Sequence, residues 1–390
     1  MITNTLMNRI GHIAHQDRPL LPEDLNVTLV SESSVFARLW IKTNGCRHSN
    51  NSGGCIPCDY WKGSKVSSEI LLSEITSKLV LLSDVPPQLL LLNTNGSVLD
   101  DVELSKDVRQ IIFSLIANLL PNTKVIIETR AETIQLDTLS ELSVFNSNNV
   151  AIEFGVESSS QVINTLCCNK GLELSQIPSV VKMCMDLGYD VFANVLVGLP
   201  FLNYTEIIKD AIDTIHWCLS IGVSSCVVFP VNIKPWTILY WLYENEFYRP
   251  VSLWALVEVL VSIEPDLLKN IEISWYPSLK QNLHPLYTIS TIIPQTCPEC
   301  NESINNLLQN YAIEPNERHE IVKTLANIRC DCRKPFLNNL SIDTFSAQRV
   351  KKIKGLYEEI SERAFGKNWK IKHAKDLNRF FYEIKKNLSC

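Results

Sequence analysis

The 390-residue sequence predicts an α/β protein: a parallel sheet curled into a partial (β/α)6 barrel, followed by a cysteine-rich, mostly helical extension. Three observations predict it. Short apolar runs of strand length alternate six times with segments of helical periodicity, the pattern of a parallel sheet covered by helices. Polar, glycine-bearing motifs fall where those runs end, and barrels of this kind keep their chemistry at the C-terminal strand ends. Seven of thirteen cysteines stand in two tight groups with metal-ligand spacing.

In chain order, residues 1–34 read as an irregular lead-in, and the barrel is expected over 35–275. FARLWIKTN (Phe36 to Asn44) is a buried strand by its apolar, β-branched and aromatic content. Helical periodicity covers Ser67 to Leu82, then QLLLLN (Gln88 to Asn93) is a strand. Leu104 to Leu119 is helical, KVIIET (Lys124 to Thr129) a strand, and a short helix lies near Leu136 to Leu142. The strand VAIEFGVE (Val150 to Glu157) precedes helices over Ser159–Cys167 and Leu174–Leu187. A strand at Val191–Val197, a helix at Tyr204–Ile221 and a strand at Ser225–Val231 complete the alternation. Crossovers in such a sheet are nearly all right-handed, so it curls toward a barrel. The extension is expected at 276–345, with a helical stretch over Ile313–Ile328, and a basic helical tail at 346–390.

Composition bounds the class. A hydrophobic fraction of 46% and a charged fraction of 20% are those of an ordinary globular protein. No run approaches the roughly 18 apolar residues that cross a bilayer. The N-terminus, MITNTLMNRIGHIAHQDRP, has no sustained apolar stretch of the signal-peptide kind. The expected address is the cytoplasm, with no membrane partner. An odd cysteine count in so long a chain argues against a disulfide scaffold. Cys167, Cys168, Cys184, Cys218, Cys226 and Cys390 read as small core residues or a terminal one. The tail from residue 346 holds 12 Lys and Arg against 5 Asp and Glu, so it is +7 in a chain of net −6, leaving −13 elsewhere. Such a tail fits nucleic-acid contact or an amphipathic helix packed on the barrel.

Cys46, Cys55 and Cys58 form C-x8-C-x2-C in a loop leaving the first strand. The insert RHSNNSGG is polar and glycine-bearing, so the chain can wrap and gather three sulfurs. A structural zinc site wants four closed ligands, whereas three thiolates on a [4Fe-4S] cube leave one iron open. The loop by itself fits both a cluster and a zinc knuckle completed by His48.

With its neighbours the loop resembles a known family. TNGCRHSNNSGGCIPCDYW, NTNGSVLDD, IIETRAETI, VAIEFGVESS, NKGL, VLVGLPFLNYTE and FYRPVSLWALVEVL lie in matching order. On these, the chain resembles the archaeosine-biosynthesis radical S-adenosylmethionine (SAM) proteins, known as RaSEA, from about residue 37 to 335. More distantly it resembles the Elongator catalytic subunit, which also lengthens the first cysteine gap. The resemblance implies a [4Fe-4S] cluster on Cys46, Cys55 and Cys58, with SAM bound beside it. It places Asn95, Gly96 and Ser97 at the SAM amino group, Glu128 and Arg130 at its carboxylate, and Glu157 at its ribose. Tyr60, Asn194, Leu199 and Pro200 join them. Pro57, Ala131 and Asp59 depart from the family pattern, and FPVNIKPWTILYWL is more apolar than a substrate-contact segment should be.

Cys297-x2-Cys300 and Cys330-x-Cys332 offer four thiolates, enough for a closed zinc site or an auxiliary iron–sulfur cluster. The functional expectation is reductive cleavage of SAM to a 5′-deoxyadenosyl radical that takes hydrogen from a substrate. A one-electron donor such as flavodoxin or ferredoxin is implied. Asn232, Lys234, Tyr248, Arg249 and Trp254 are the expected substrate contacts. The acidic body and altered rim point to a small-molecule or carrier-bound substrate, as in natural-product biosynthesis. The resemblance points instead to a tRNA base bearing a lysine-modified 7-deazaguanine, with lyase cleavage of its C–N bond. A non-catalytic scaffold holding two zinc ions is the reading from another class.

Overall fold

A computed structural model describes residues 4–16, 18–19, 27–32, 34–60, 63, 66–274, 291–337 and 347–388; Cys390 lies outside them. Its frame is one eight-stranded sheet in sequential order, β1 (Thr28–Glu32), β2 (Phe36–Trp40), β3 (Leu89–Asn93), β4 (Lys124–Thr129), β5 (Val150–Glu157), β6 (Asp190–Val197), β7 (Ser225–Pro230) and β8 (Ile271–Ile273). β1 pairs antiparallel with β2, and every later pair is parallel. The six expected strands are β2 to β7. β1 and β8 add an edge on either side.

Burial alternates along β2, β3 and β7, so one set of side chains faces the covering helices and the other faces the lumen. Outward residues such as Leu39, Leu90, Leu92, Ile127, Ile152, Val195 and Val228 are fully or almost fully buried against helices Ser68–Asp84, Lys106–Leu119, Ile177–Asp186 and Tyr204–Ser220. Each such side chain contributes about 1.5–3 kcal/mol on burial. The lumen face carries Arg38, Asn93, Glu128, Glu153 and Asn194, polar groups a closed core would not tolerate.

Three segments differ from expectation. The lead-in holds a helix, Thr5–His15, capped by Asn4 and burying Leu6, Met7 and Ile10. The helix expected over Ile313–Ile328 is shorter, Arg318–Asn327, because Pro315 cannot continue a helix, and an unexpected helix, Pro298–Ile313, precedes it. These two extend the main core through Ile304, Leu308, Tyr311 and Leu325. The tail forms helices Ala347–Phe365 and Trp369–Leu388, which join Thr5–His15 in a second apolar core that includes Ile56, Cys167 and Cys168.

Candidate active site at the strand ends

β2 runs into the loop that carries Cys46, Cys55 and Cys58. Gly45, Gly53 and Gly54 take positive φ there, and Gly53 closes the short helix Arg47–Ser52. The segment after β5 clamps this loop from behind. Ile56 N–H donates to the Cys168 carbonyl at 2.8 Å, and the Asn169 amide donates to Ser52 O at 3.1 Å and Gly54 O at 2.7 Å. The His48 ring pairs with the Asn169 carbonyl at 2.7 Å, so a backbone contact already engages Nε2. Glu157, Asn169, Phe201 and Trp236 all take positive φ at strand ends or just beyond. Strain of that kind costs about 1–3 kcal/mol per residue and gathers at functional sites.

Four cysteines open on one cavity: Cys46, Cys55 and Cys58 of the loop, and Cys168, which is hydrogen-bonded to Cys55. Cys46, Cys55, Cys58, Tyr60, Asn95, Gly96, Glu128, Arg130, Glu157, Asn194, Asn232 and Lys234 share the wall of a space of about 210 Å³. Burial raises the Cys58 thiol well above its ordinary pKa and the charge of Cys55 adds to it, so the sulfurs feel one another. Two glycines keep the wall thin. A Cβ on Gly96 would stand 2.4 Å from Glu103 Oε1 and 2.9 Å from Cys46 Sγ. A Cβ on Gly155 would stand 2.0 Å from Glu157 Oε1 and 2.3 Å from Lys170 Nζ.

The charged groups are held in fixed pairs. Arg130 donates through Nη2 to the Lys170 carbonyl at 2.9 Å and through Nε to Glu132 at 2.5 Å. Lys170 Nζ donates to Glu157 at 2.6 Å, and Lys234 Nζ to Asp59 at 2.7 Å. Arg38 reaches across the lumen to Tyr60 Oη at 2.9 Å and Asn93 Oδ1 at 3.0 Å. Burial disfavours the Lys170 cation, but the Glu157 carboxylate outweighs it and holds the pKa above the usual lysine value. Burial raises Glu128 and Glu157, and it pushes Glu153 to about 8 with the Glu128 charge adding to the effect. Asn194 Oδ1 is buried with no hydrogen-bond partner among the described residues. Unpaired acceptors in a built site are where a ligand donor is expected.

Other expected site residues lie elsewhere. Ser97 is fully buried, its hydroxyl in a triangle with Thr129 at 2.5 Å and Thr133 at 2.7 Å, while its N–H donates to Glu103. Leu199 belongs to the second apolar core, and Pro200 follows it; neither lines the cavity. Tyr248 donates to the Gly198 carbonyl at 2.7 Å from a buried position. Arg249 lies on the surface against Glu246. Trp254 is fully buried below the second cysteine group. These three read as rim aromatics and a rim cation from sequence, but apolar neighbours and backbone acceptors took them instead. Lys170, Cys168, Asp59 and Gly155 line the cavity without having been singled out for it. Lys170 stood inside the quoted NKGL motif, and its pairing with Glu157 becomes visible only when the chain turns back.

The second cysteine group is closed. Cys297, Cys300, Cys330 and Cys332 bring all four sulfurs within 4.8 Å of one another, and among the described residues no other cluster of three or more metal-type ligands does so. Neighbouring sulfurs stand 3.3–3.6 Å apart. Trp254 Nε1 donates to Cys332 Sγ at 3.0 Å, and the Arg333 guanidinium lies 4.8 Å over the same indole while pairing with buried Glu258 at 2.6 Å. A tetrahedral zinc with bonds of about 2.3 Å spaces its sulfurs by about 3.8 Å, so one ion fits with little movement.

No family model matches the chain. It is 26% identical over 306 residues to an uncharacterised protein of Methanocaldococcus jannaschii, covering 75% of this chain and 78% of that one. It is 23% identical to archaeosine synthase subunit beta of Methanosarcina acetivorans, over 78% of this chain and 85% of the relative. The corresponding subunit of Thermococcus kodakarensis is 24% identical over 57% and 69%. Among solved structures, the Elp3 of Methanocaldococcus infernus aligns with TM-score 0.43 and 15% identity, covering 63% of this chain and 57% of that one. Methylornithine synthase aligns with TM-score 0.47 and 12% identity over 91% and 88%. By sequence, the chain is similar to proteins named archaeosine synthase subunit beta, the group its motifs resemble.

Proposed function

We propose that the chain is a radical SAM enzyme whose cluster sits on Cys46, Cys55 and Cys58. The observation that carries this reading is the three loop thiols on the wall of a cavity lined by fixed cations and carboxylates, with buried Cys168 beside Cys55. When bound, a [4Fe-4S] cluster with one open iron supplies the electron that cleaves SAM into methionine and a 5′-deoxyadenosyl radical. The protein's share is binding, orientation and exclusion of water. Arg130, held by the Lys170 carbonyl and Glu132, is placed to pair with a carboxylate such as SAM's. Glu157, fixed by Lys170 over the bare backbone of Gly155, where the pair fills the space a side chain would take, accepts from ribose hydroxyls. Asn194 Oδ1 offers the free acceptor. Asn232 and Lys234, at the far end of β7, are the substrate-side contacts.

For the substrate, the relatives named archaeosine synthase subunit beta support a tRNA base bearing a lysine-modified 7-deazaguanine, with cleavage of its C–N bond. Their name as a subunit supports assembly with a partner, besides a one-electron donor of the flavodoxin or ferredoxin kind. The acidic body favours a second reading, a small-molecule or carrier-bound substrate. The second cysteine group is assigned to structural zinc on its tetrahedral spacing. Anaerobic reconstitution with iron and sulfide, followed by electron paramagnetic resonance and an assay for 5′-deoxyadenosine, tests the reading. A reducible cluster and SAM turnover are expected. Zinc alone at the loop, with no 5′-deoxyadenosine, would overturn it.

A further inference from the structure

The tail hairpin, helices Ala347–Phe365 and Trp369–Leu388, is two-faced. Its inner face is bolted to the barrel. Tyr357 Oη donates to Leu166 O at 2.6 Å and accepts from the Asn4 amide at 3.0 Å, while Arg349 donates to Phe201 O at 2.5 Å and pairs with Glu206 at 2.8 Å. Val350, Ile353, Leu377, Phe380, Phe381 and Ile384 fill the second core beside Cys168, whose side chain lines the cavity. The hairpin therefore backs the cavity wall at Cys168.

The outer face of Trp369–Leu388 is rich in cations, interrupted by exposed Asp376 and by Glu383, which pairs with Arg379. Lys370, Lys372, Lys375, Arg379 and Lys386 are exposed on Trp369–Leu388, a helix about 30 Å long. Ile371, Lys375, Asn378, Tyr382 and Lys386 follow one another at three- and four-residue steps, so they form one stripe. Ile371 is 85% exposed and Tyr382 70% exposed within it. Lysines alternating with an exposed aromatic along an extended line match a polyanion's evenly spaced charges and stackable bases. An acidic protein such as an electron donor would need a compact spot instead. The remainder of the chain, at −13, repels a polyanion and leaves this face as its landing place.

We propose that this outer face binds the phosphate backbone of an RNA whose modified base enters the neighbouring cavity. The proposal rests on the tRNA reading of the substrate and locates its contact surface on a segment beyond the region of family resemblance. The test uses the full-length reconstituted protein and a tRNA transcript, with binding measured across potassium chloride concentrations. Neutralising three exposed lysines together (Lys370→Gln, Lys375→Gln, Lys386→Gln) is expected to weaken binding at least tenfold. The slope of log K against log salt should fall by about 2–3, since each phosphate contact contributes about 0.7–0.9. Tyr382→Ala is expected to weaken binding without changing that slope. SAM cleavage with dithionite as reductant, and the melting temperature, should stay as in the unaltered protein. Unchanged tRNA affinity and slope in the triple variant overturns the proposal. So does a variant that keeps tRNA affinity but is reduced more slowly by flavodoxin, which would make the face a donor dock. An unaltered protein that cleaves SAM but binds no tRNA overturns both this surface and the tRNA substrate, with the radical chemistry still standing.

Discussion

Four sulfurs of the extension stand 3.3–3.6 Å from their neighbours, sealed by an indole N–H and a buried Arg333–Glu258 pair. The three sulfurs of the first loop face open space instead, among Arg130, Lys170, Lys234 and the carboxylates of Asp59, Glu128 and Glu157. The two groups use the same ligand chemistry to opposite ends. Where thiolates close on one another and the nearby charge is neutralised, a metal can only hold the fold. Where the loop's thiols stand around a gap on which charged groups converge, the gap is the site we propose for a reacting ligand.

The sharpest way to break this contrast is to remove the open set. Cys46→Ala, Cys55→Ala and Cys58→Ala together should take iron and 5′-deoxyadenosine to background while zinc, measured by mass spectrometry, stays at one per chain. Next in size, Cys330→Ser should release that zinc and destabilise the fold by about 4 kcal/mol or more in urea titrations. Its effect on SAM cleavage should follow stability alone.

A third expectation concerns acid–base behaviour. Glu153 in the open region binds its proton up to about pH 8 in the fold, against 4.5 in the free side chain. The folded chain holds the extra proton, so stability is greatest below the ordinary carboxylate value and declines as pH rises to about 8. The decline is at most about 1.4 kcal/mol per pH unit. Glu153→Gln should flatten it, as read from unfolding at pH 5 and pH 8. A slope that persists in the variant removes Glu153 as its source. Arg130→Lys should leave iron loading intact and raise the KM for SAM about 10- to 100-fold, since a planar fork is exchanged for a point charge. The smallest effect belongs to the closed group. Trp254→Phe keeps the ring under Arg333 and removes one N–H···S bond, so it should cost about 1 kcal/mol with zinc retained.

The barrel was legible because its strands are nearly pure apolar runs, and β4 and β5 match their expected bounds. The first loop was legible through spacing, and the second through its four cysteines. Other parts hid for physical reasons. Thr5–His15 buries a narrow stripe among Asn, Arg and His, so it depends on partners distant in sequence, Ile238–Glu244 and Trp369–Leu388. β8 has three residues and no pattern to read. Trp254 and Tyr248 show why an aromatic beside a motif misleads. Ring size says that a residue packs, and only the fold says whether against a ligand or a core. The partnership of Lys170 with Glu157 joins a loop to a strand end by way of a π-helical turn, which no periodicity announces.

The backing of the first loop makes it sensitive to substitutions far away in the sequence. Ile56 and Cys168 share one apolar core with Leu6, Met7 and Ile10 on one side and with Tyr357, Phe381 and Ile384 on the other. The Ile56 N–H to Cys168 carbonyl bond therefore has its rear packed by segments about 350 residues apart, and loosening either of them loosens the support of the cysteine loop.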